Sequence, residues 1–196
     1  MKQQIILFTI VLALFATGCS SYEDYRISQS IFIEDVDSPG LPIYSEWGYN
    51  TFGAYWDRTP FISEQYDIPT KIIVEAGATN WHLMGHKNGP MQVLTFSFPG
   101  YAPTNYNSLI SLKGKTFDLT GNECTVSVNE SIIEILEGSI SFKQAQKLSV
   151  DKELMRVIVS GTFHLKGIYN NEPFSLTSGR FDLGIGEDNF FFLNRK

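Results

Sequence analysis

Cysteine is nearly missing from this chain of 196 residues, which has only Cys19 and Cys124. A disulfide-stapled scaffold is thereby excluded, because such folds rest on several bridges. Histidine is equally scarce, and the three present are too few to make most metal sites alone. Positive charge is in deficit, with 15 Lys and Arg against 21 Asp and Glu and no basic cluster to offset it. Such a surface repels phosphate backbones, so no nucleic-acid partner is expected. Long apolar runs are lacking too. The longest, Ile5 to Ala16, has 12 residues, short of the roughly 18–20 that cross a bilayer as a helix.

That short run is informative through its flanks. Lys2 precedes it and Ala16-Thr17-Gly18-Cys19 closes it, the layout of a bacterial lipoprotein signal, although a lipobox usually has Leu where Ala16 stands. The expectation is cleavage before Cys19 and acylation of Cys19, making the membrane a partner through the lipid. Several acyl chains, each worth about 0.8 kcal/mol per buried CH₂, hold a protein durably. An ordinary secretory signal or an uncleaved anchor are the alternatives. Residues 1–18 then form the signal peptide, 19–29 a polar tether and 30–196 the folded domain. Without Lys2, the 15 basic side chains become 14 against 21 acidic, a formal charge of −7.

The domain reads as β structure. Aromatics are abundant, with 15 Phe, 9 Tyr and 3 Trp, and long helix-forming runs are few. Strands are predicted at 30–34, 50–56, 70–75, 81–84, 91–98, 116–119, 124–128, 131–136, 138–142, 154–165, 173–177, 180–185 and 190–193. Asp37-Ser38-Pro39-Gly40 and Pro99-Gly100 are turn signals. Met155, Val157, Val159, Phe163 and Leu165 share one face of the strongest strand, whose central Gly161 predicts a bend or bulge. Gly53 predicts a bulge or close backbone approach. Residues 144–150 read as the one short helix or irregular link, and 101–114 as loop. Short strands at close spacing, with no βαβ alternation, predict an all-β fold: a single antiparallel β-sandwich or β-barrel.

Two segments carry a resemblance. Asn50-Thr51-Phe52-Gly53-Ala54-Tyr55-Trp56-Asp57-Arg58-Thr59-Pro60-Phe61 resembles the N-terminal signature of small, uncharacterised Bacteroidetes outer-membrane lipoproteins. Val159-Ser160-Gly161-Thr162-Phe163-His164-Leu165 with Leu176-Thr177-Ser178-Gly179-Arg180-Phe181-Asp182 is similar to their C-terminal hairpin, which ends in a Gly-Arg-Phe-Asp strand. The explicit matches cover about a quarter of the chain. The resemblance implies a β fold and an outer-membrane location, and it brings no catalytic residues. It also gives Ser20-Ser21-Tyr22-Glu23-Asp24 a second reading beside solvated tether, as an acidic tag for display on the outer face. The periplasmic and the surface-exposed face both stay open.

Candidate chemistry is sparse. His82 and His86 are four apart, but Gly85 and Pro90 oppose a helix, and on a strand the spacing puts about 13 Å between Cα atoms. No metal site, cofactor or catalytic residue is therefore assigned. Cys124 alternates within a strand and reads as a small buried hydrophobe. Gly184-Ile185-Gly186-Glu187 reads as a turn, not a phosphate loop. Arg180 and Asp182 share a polar strand face, which suggests a cross-strand ion pair with a neighbour. Trp56 and Trp81, with Trp47, offer a sugar-stacking platform, although core packing is the ordinary fate of such rings. The expected function is a non-catalytic binding or scaffolding module at the envelope, facing a glycan or an envelope protein. A hydrolase with an unrecognised carboxylate site and a pilin-like structural subunit are the alternatives.

Overall fold

The computed structural model describes residues 29–63, 68–150 and 152–193. The signal peptide, Cys19 and nearly all of the tether lie outside them. Twelve strands follow in order: β1 (Thr51–Trp56), β2 (Thr59–Ile62), β3 (Thr70–Glu75), β4 (Ala78–Lys87), β5 (Met91–Pro99), β6 (Thr116–Asp118), β7 (Thr125–Val128), β8 (Ser131–Ile132), β9 (Glu134–Val150), β10 (Glu153–Tyr169), β11 (Glu172–Ile185) and β12 (Phe190–Leu193). A 3-10 helix, Tyr106–Leu112, lies between β5 and β6 and buries Leu109 and Leu112.

The strands form one open sheet in the order β6-β9-β10-β11-β1-β2-β4-β5-β7-β8, with β3 pairing β4 and β12. Pairing is antiparallel except between β12 and β3, which run parallel with Phe190 opposite Ile72. The sheet folds over on itself. Trp81 of β4 meets Phe142 of β9 at 5.1 Å, and Phe96 of β5 meets Phe163 of β10 at 5.4 Å. Phe98 of β5 reaches Phe117 of β6 at 4.8 Å. The all-β expectation therefore resolves as sandwich-like, not a closed barrel. Edge-on and tilted ring pairs of this kind each add about 0.5–1.5 kcal/mol beyond their area burial.

Several local readings change. The segments 131–136, 138–142 and 144–150 are largely one strand, β9, of 17 residues, not strands followed by a helical link. Its partner β10 supplies hydrogen bonds along the whole run, which overrides the weak propensity of Lys143-Gln144-Ala145-Gln146-Lys147. Met155 is turned outward, because a register shift between Leu154 and Arg156 moves it off the face of Val157 and Val159. Residues 30–34 form no regular strand. They belong to an arm, residues 29–49, held by single bonds such as Ile43 N–H to the Ile33 carbonyl (2.8 Å) and Ile31 N–H to the Tyr49 carbonyl (2.8 Å).

The glycine readings hold. The register slips beside Gly161, where a Cβ would stand 2.0 Å from the Ser141 carbonyl oxygen. It slips again between Gly53 and Tyr55, and a Cβ on Gly53 would stand 2.5 Å from Cδ of Pro42 on the arm.

The arm lies across the outer face of the sheet. Leu41 is fully buried, and Gly48 packs close enough to Ile158 that a Cβ would meet its side chain at 3.0 Å. Gln146 of β9 donates to the Glu46 carbonyl at 2.7 Å. Two side chains of β11 fasten the arm. Asp182 accepts from Ser45 Oγ and from the backbone N–H groups of Trp47 (3.2 Å), Gly48 (2.9 Å) and Tyr49 (3.0 Å). Arg180 pairs with Asp35 and donates to Ser38 Oγ at 3.0 Å. Both partners therefore lie on the arm and not on a neighbouring strand, because the arm covers the face that the alternation alone would expose.

Candidate functional site

Outer-face residues of β9, β10 and β11 floor an open cleft of about 570 Å³, with Tyr44 of the arm in its wall. Strand alternation puts Ser139, Ser141 and Lys143 of β9, Thr162 and His164 of β10, and Ser178 and Arg180 of β11 on this side. Register aligns them across the strands. Thr116, Ser141, Thr162 and Arg180 form one row, and Asp118, Ser139 and His164 the next. Thr116 Oγ1 and Ser141 Oγ are 2.9 Å apart. The floor is thus a grid of hydroxyls at inter-strand spacing, about 4.8 Å.

A bulge shapes one edge of the grid. Phe163 pairs with Gly179 and Leu165 with Leu176, so His164 faces two residues of β11, Thr177 and Ser178. The same extra residue shifts β11 against β1. Ser178 sits in the left-handed region at φ 53°, where few non-glycine residues go. Gly179 comes so close to β10 that a Cβ would stand 2.4 Å from the Phe163 carbonyl oxygen. Bulges re-aim side chains, and this one brings Ser178 into the cleft.

Tyr44 donates to Glu46 at 2.9 Å, and burial pushes its phenol up to about 12, so it stays protonated. Lys143 Nζ lies 5.1 Å from the Tyr44 ring centre. An adjoining cleft of about 510 Å³ shares Ser139 and His164 and adds Asp118, Glu123 and Glu137. There the Lys166 ammonium, 3.0 Å away, holds the Glu137 carboxyl below its ordinary value. The N–H and hydroxyl of Thr120 do the same for Asp118. A third cleft, about 470 Å³, lies on the opposite half of the sandwich, lined by residues such as Asn80, His82, Thr95 and Ser127.

The tryptophan platform is corrected. Trp56 and Trp81 are only 6% and 2% exposed, locked among Phe61, Phe174 and Tyr169 and among Phe142 and Phe181 respectively. Their rings face the space between the two halves of the sheet, so neither presents a face to a ligand. Trp47 is 77% exposed on the arm and does not join them. Cys19 lies outside the described residues.

His82 contacts Thr95 Oγ1 at 2.9 Å, and His86 contacts the Gly89 carbonyl at 2.8 Å. Burial holds His82 below the ordinary histidine value. Among the described residues no three His, Cys, Asp or Glu side chains converge as a metal site would require. Cys124 is buried, and desolvation pushes its thiol up to about 12, so it packs as a hydrophobe. Residues 186–189 are a turn. Asn189 Oδ1 accepts from Gly186 N–H at 2.8 Å, and Arg156 grips Asp188 at 2.6 Å.

The cleft residues were individually visible in the sequence as the polar partners of strand alternation. Only the pairing of β9 with β10, and of β10 with β11, shows that they share one surface. Compared with protein-family models, with curated proteins and with solved structures, the chain matches none.

Proposed function

We propose that this protein is an envelope lipoprotein, anchored through acyl chains on Cys19, whose β domain binds a saccharide without transforming it. The observation that carries the binding reading is the hydroxyl grid of Ser139, Ser141, Thr162 and Ser178 beneath Tyr44. Hydroxyls donate and accept, so a grid of them matches the alternating demands of a sugar's own hydroxyls. Water-bridged contacts extend the match where spacing is loose. The open form suits a chain lying over the sheet face better than a small molecule enclosed in a pocket.

The hydrolase reading draws on Asp118, Glu123 and Glu137 in the adjoining cleft. A glycosidase acid needs a carboxyl held above its ordinary value. Asp118 and Glu137 are both shifted the other way. His164 makes no hydrogen bond with the cleft serines among the described residues, which gives the hydrolase reading no nucleophile–base pair to draw on. A pilin-like subunit leaves a core groove for a donated strand. Here Trp81, Phe96, Phe98 and Phe142 are covered by the chain's own strands, which argues for a self-contained domain.

Two measurements test the proposal. Labelled palmitate should enter the wild-type protein and be lost in Cys19→Ser; label retained in the variant would remove the anchor. Titration against an oligosaccharide panel should find a ligand whose affinity drops about tenfold or more in Thr162→Trp, which fills the cleft floor and displaces the hydroxyl contacts. Unchanged affinity in that variant would place the ligand elsewhere.

A further inference from the structure

The lining of the cleft beneath Tyr44 is out of character with the rest of the molecule. Acidic residues outnumber basic ones in the chain, 21 to 15, yet the cleft is lined by Lys143, His164 and Arg180 and by no Asp or Glu. The three basic groups are not equivalent. Arg180 is committed to the arm through Asp35, Ser38 Oγ and the Pro42 carbonyl (3.4 Å). Lys143 makes no ion pair among the described residues. Its Nζ lies over the ring of Tyr44, 5.1 Å from the ring centre. A lysine on a ring face still carries its full charge and three donors, so it can add an anionic ligand without releasing a protein partner.

The far end of the grid has the opposite sign. Beyond Ser139 and His164 the surface carries Asp118, Glu123 and Glu137, with Lys166 offsetting Glu137 alone. The groove runs along β9 from Lys143 past Ser141 and Ser139 to Glu137, flanked by Thr162 and His164 of β10 and by Asp118 of β6. It is therefore polar along its length, with the Lys143 ammonium, unpaired among the described residues, at one end, where Glu46 is held by the Tyr44 hydroxyl, and carboxylates at the other. A uniformly charged polymer would meet repulsion at one end.

We infer that the cleft takes a saccharide bearing one anionic group at one terminus, seated on Lys143 beside Tyr44, with its uncharged rings running along β9 over Ser141 and Ser139, with Thr162 alongside, towards Glu137 and Asp118. This rests on the saccharide-binding reading above. The anionic group is a carboxylate or a sulfate, either of which a lysine point charge accepts.

The test uses the full-length protein in detergent and a neutral trisaccharide in four forms: uncapped, capped with a terminal uronic acid, capped with its methyl ester, and capped with a terminal sulfate. The acid-capped form should bind about tenfold or more tightly than the ester, as expected for a hydrogen bond to a charged group. That gap should close in Lys143→Ala, persist in Lys143→Arg and narrow as salt is raised. Circular dichroism checks that both variants are folded. The ratio of acid-capped to sulfate-capped affinity identifies which anion is preferred.

Equal binding of acid and ester would overturn the charge inference and leave the saccharide reading standing. A gap that survives in Lys143→Ala would overturn the assignment to Lys143. If no form binds, both readings fall.

Discussion

The carboxylate of Asp182 gathers three backbone N–H groups and one hydroxyl from the arm while only 1% exposed. Replacing it by Ala takes the acceptor from the buried Ser45 hydroxyl and from the half-buried N–H groups of Gly48 and Tyr49, each at a cost of about 1–3 kcal/mol where water cannot reach, while the exposed Trp47 N–H can turn to solvent. Asp182→Ala should therefore lose about 3–5 kcal/mol in urea unfolding at neutral pH. Asp182→Asn keeps the shape and one carbonyl oxygen, and should lose less. A loss under about 1 kcal/mol in Asp182→Ala would mean that water takes over the carboxylate's role. Asn50 is a comparable fully buried connector, donating to the Gln29 carbonyl at 3.0 Å and accepting from Gly184 N–H at 2.8 Å. At this scale the sequence is half legible. Gly53 and Gly161 announce that something comes close, since a strand glycine has little other use. What comes close, Pro42 in one case and the Ser141 carbonyl in the other, belongs to residues that sequence order keeps apart.

Among the elements, the arm is attached through titratable groups. Its bond to Arg180, supported by the Asp37 N–H at 3.0 Å, holds the Asp35 carboxyl below its ordinary value of 3.8. A depressed folded value means the contribution is complete above the unfolded value and is lost as pH falls through the folded one. Lowering the pH below about 4 should therefore loosen the arm. The stability difference between wild type and Asp35→Asn should shrink over that interval, measured by denaturant unfolding at a series of pH values. A difference constant down to pH 2 would show that the pair contributes nothing through ionisation. Element boundaries were legible wherever apolar alternation was clean, as in β3 and β5. They failed at β9, where a polar run becomes strand because β10 is already there to pair with it. They failed again at 30–34, where the backbone makes one isolated bridge, Glu34 with Pro42, and joins no ladder.

For the molecule as a whole, the sheet order governs how the fold can be completed. β11 stands between β10 and β1, pairing Asp182 with Thr51. The N-terminal strand thus gains its central partner only when the last part of the chain arrives. Such distant pairing closes long loops before any contact rewards it. A chain ending at Tyr169 should lack both β11 and the clamp on the arm, and should show no cooperative unfolding transition by near-ultraviolet circular dichroism. A cooperative transition in that truncation would mean that β1 and β10 are stabilised independently of β11.

The sequence by itself determined the β class and most strand faces, because these depend on alternation and on residues adjacent in the chain; the lipoprotein proposal around Cys19 rests on the sequence alone. The single sheet folded into a sandwich, the parallel β12, the arm over the outer face and the hydroxyl cleft were decided only by the tertiary structure. Each depends on which strand lies beside which, a choice made by packing Trp81 against Phe142 and Phe96 against Phe163, and local periodicity carries no record of it.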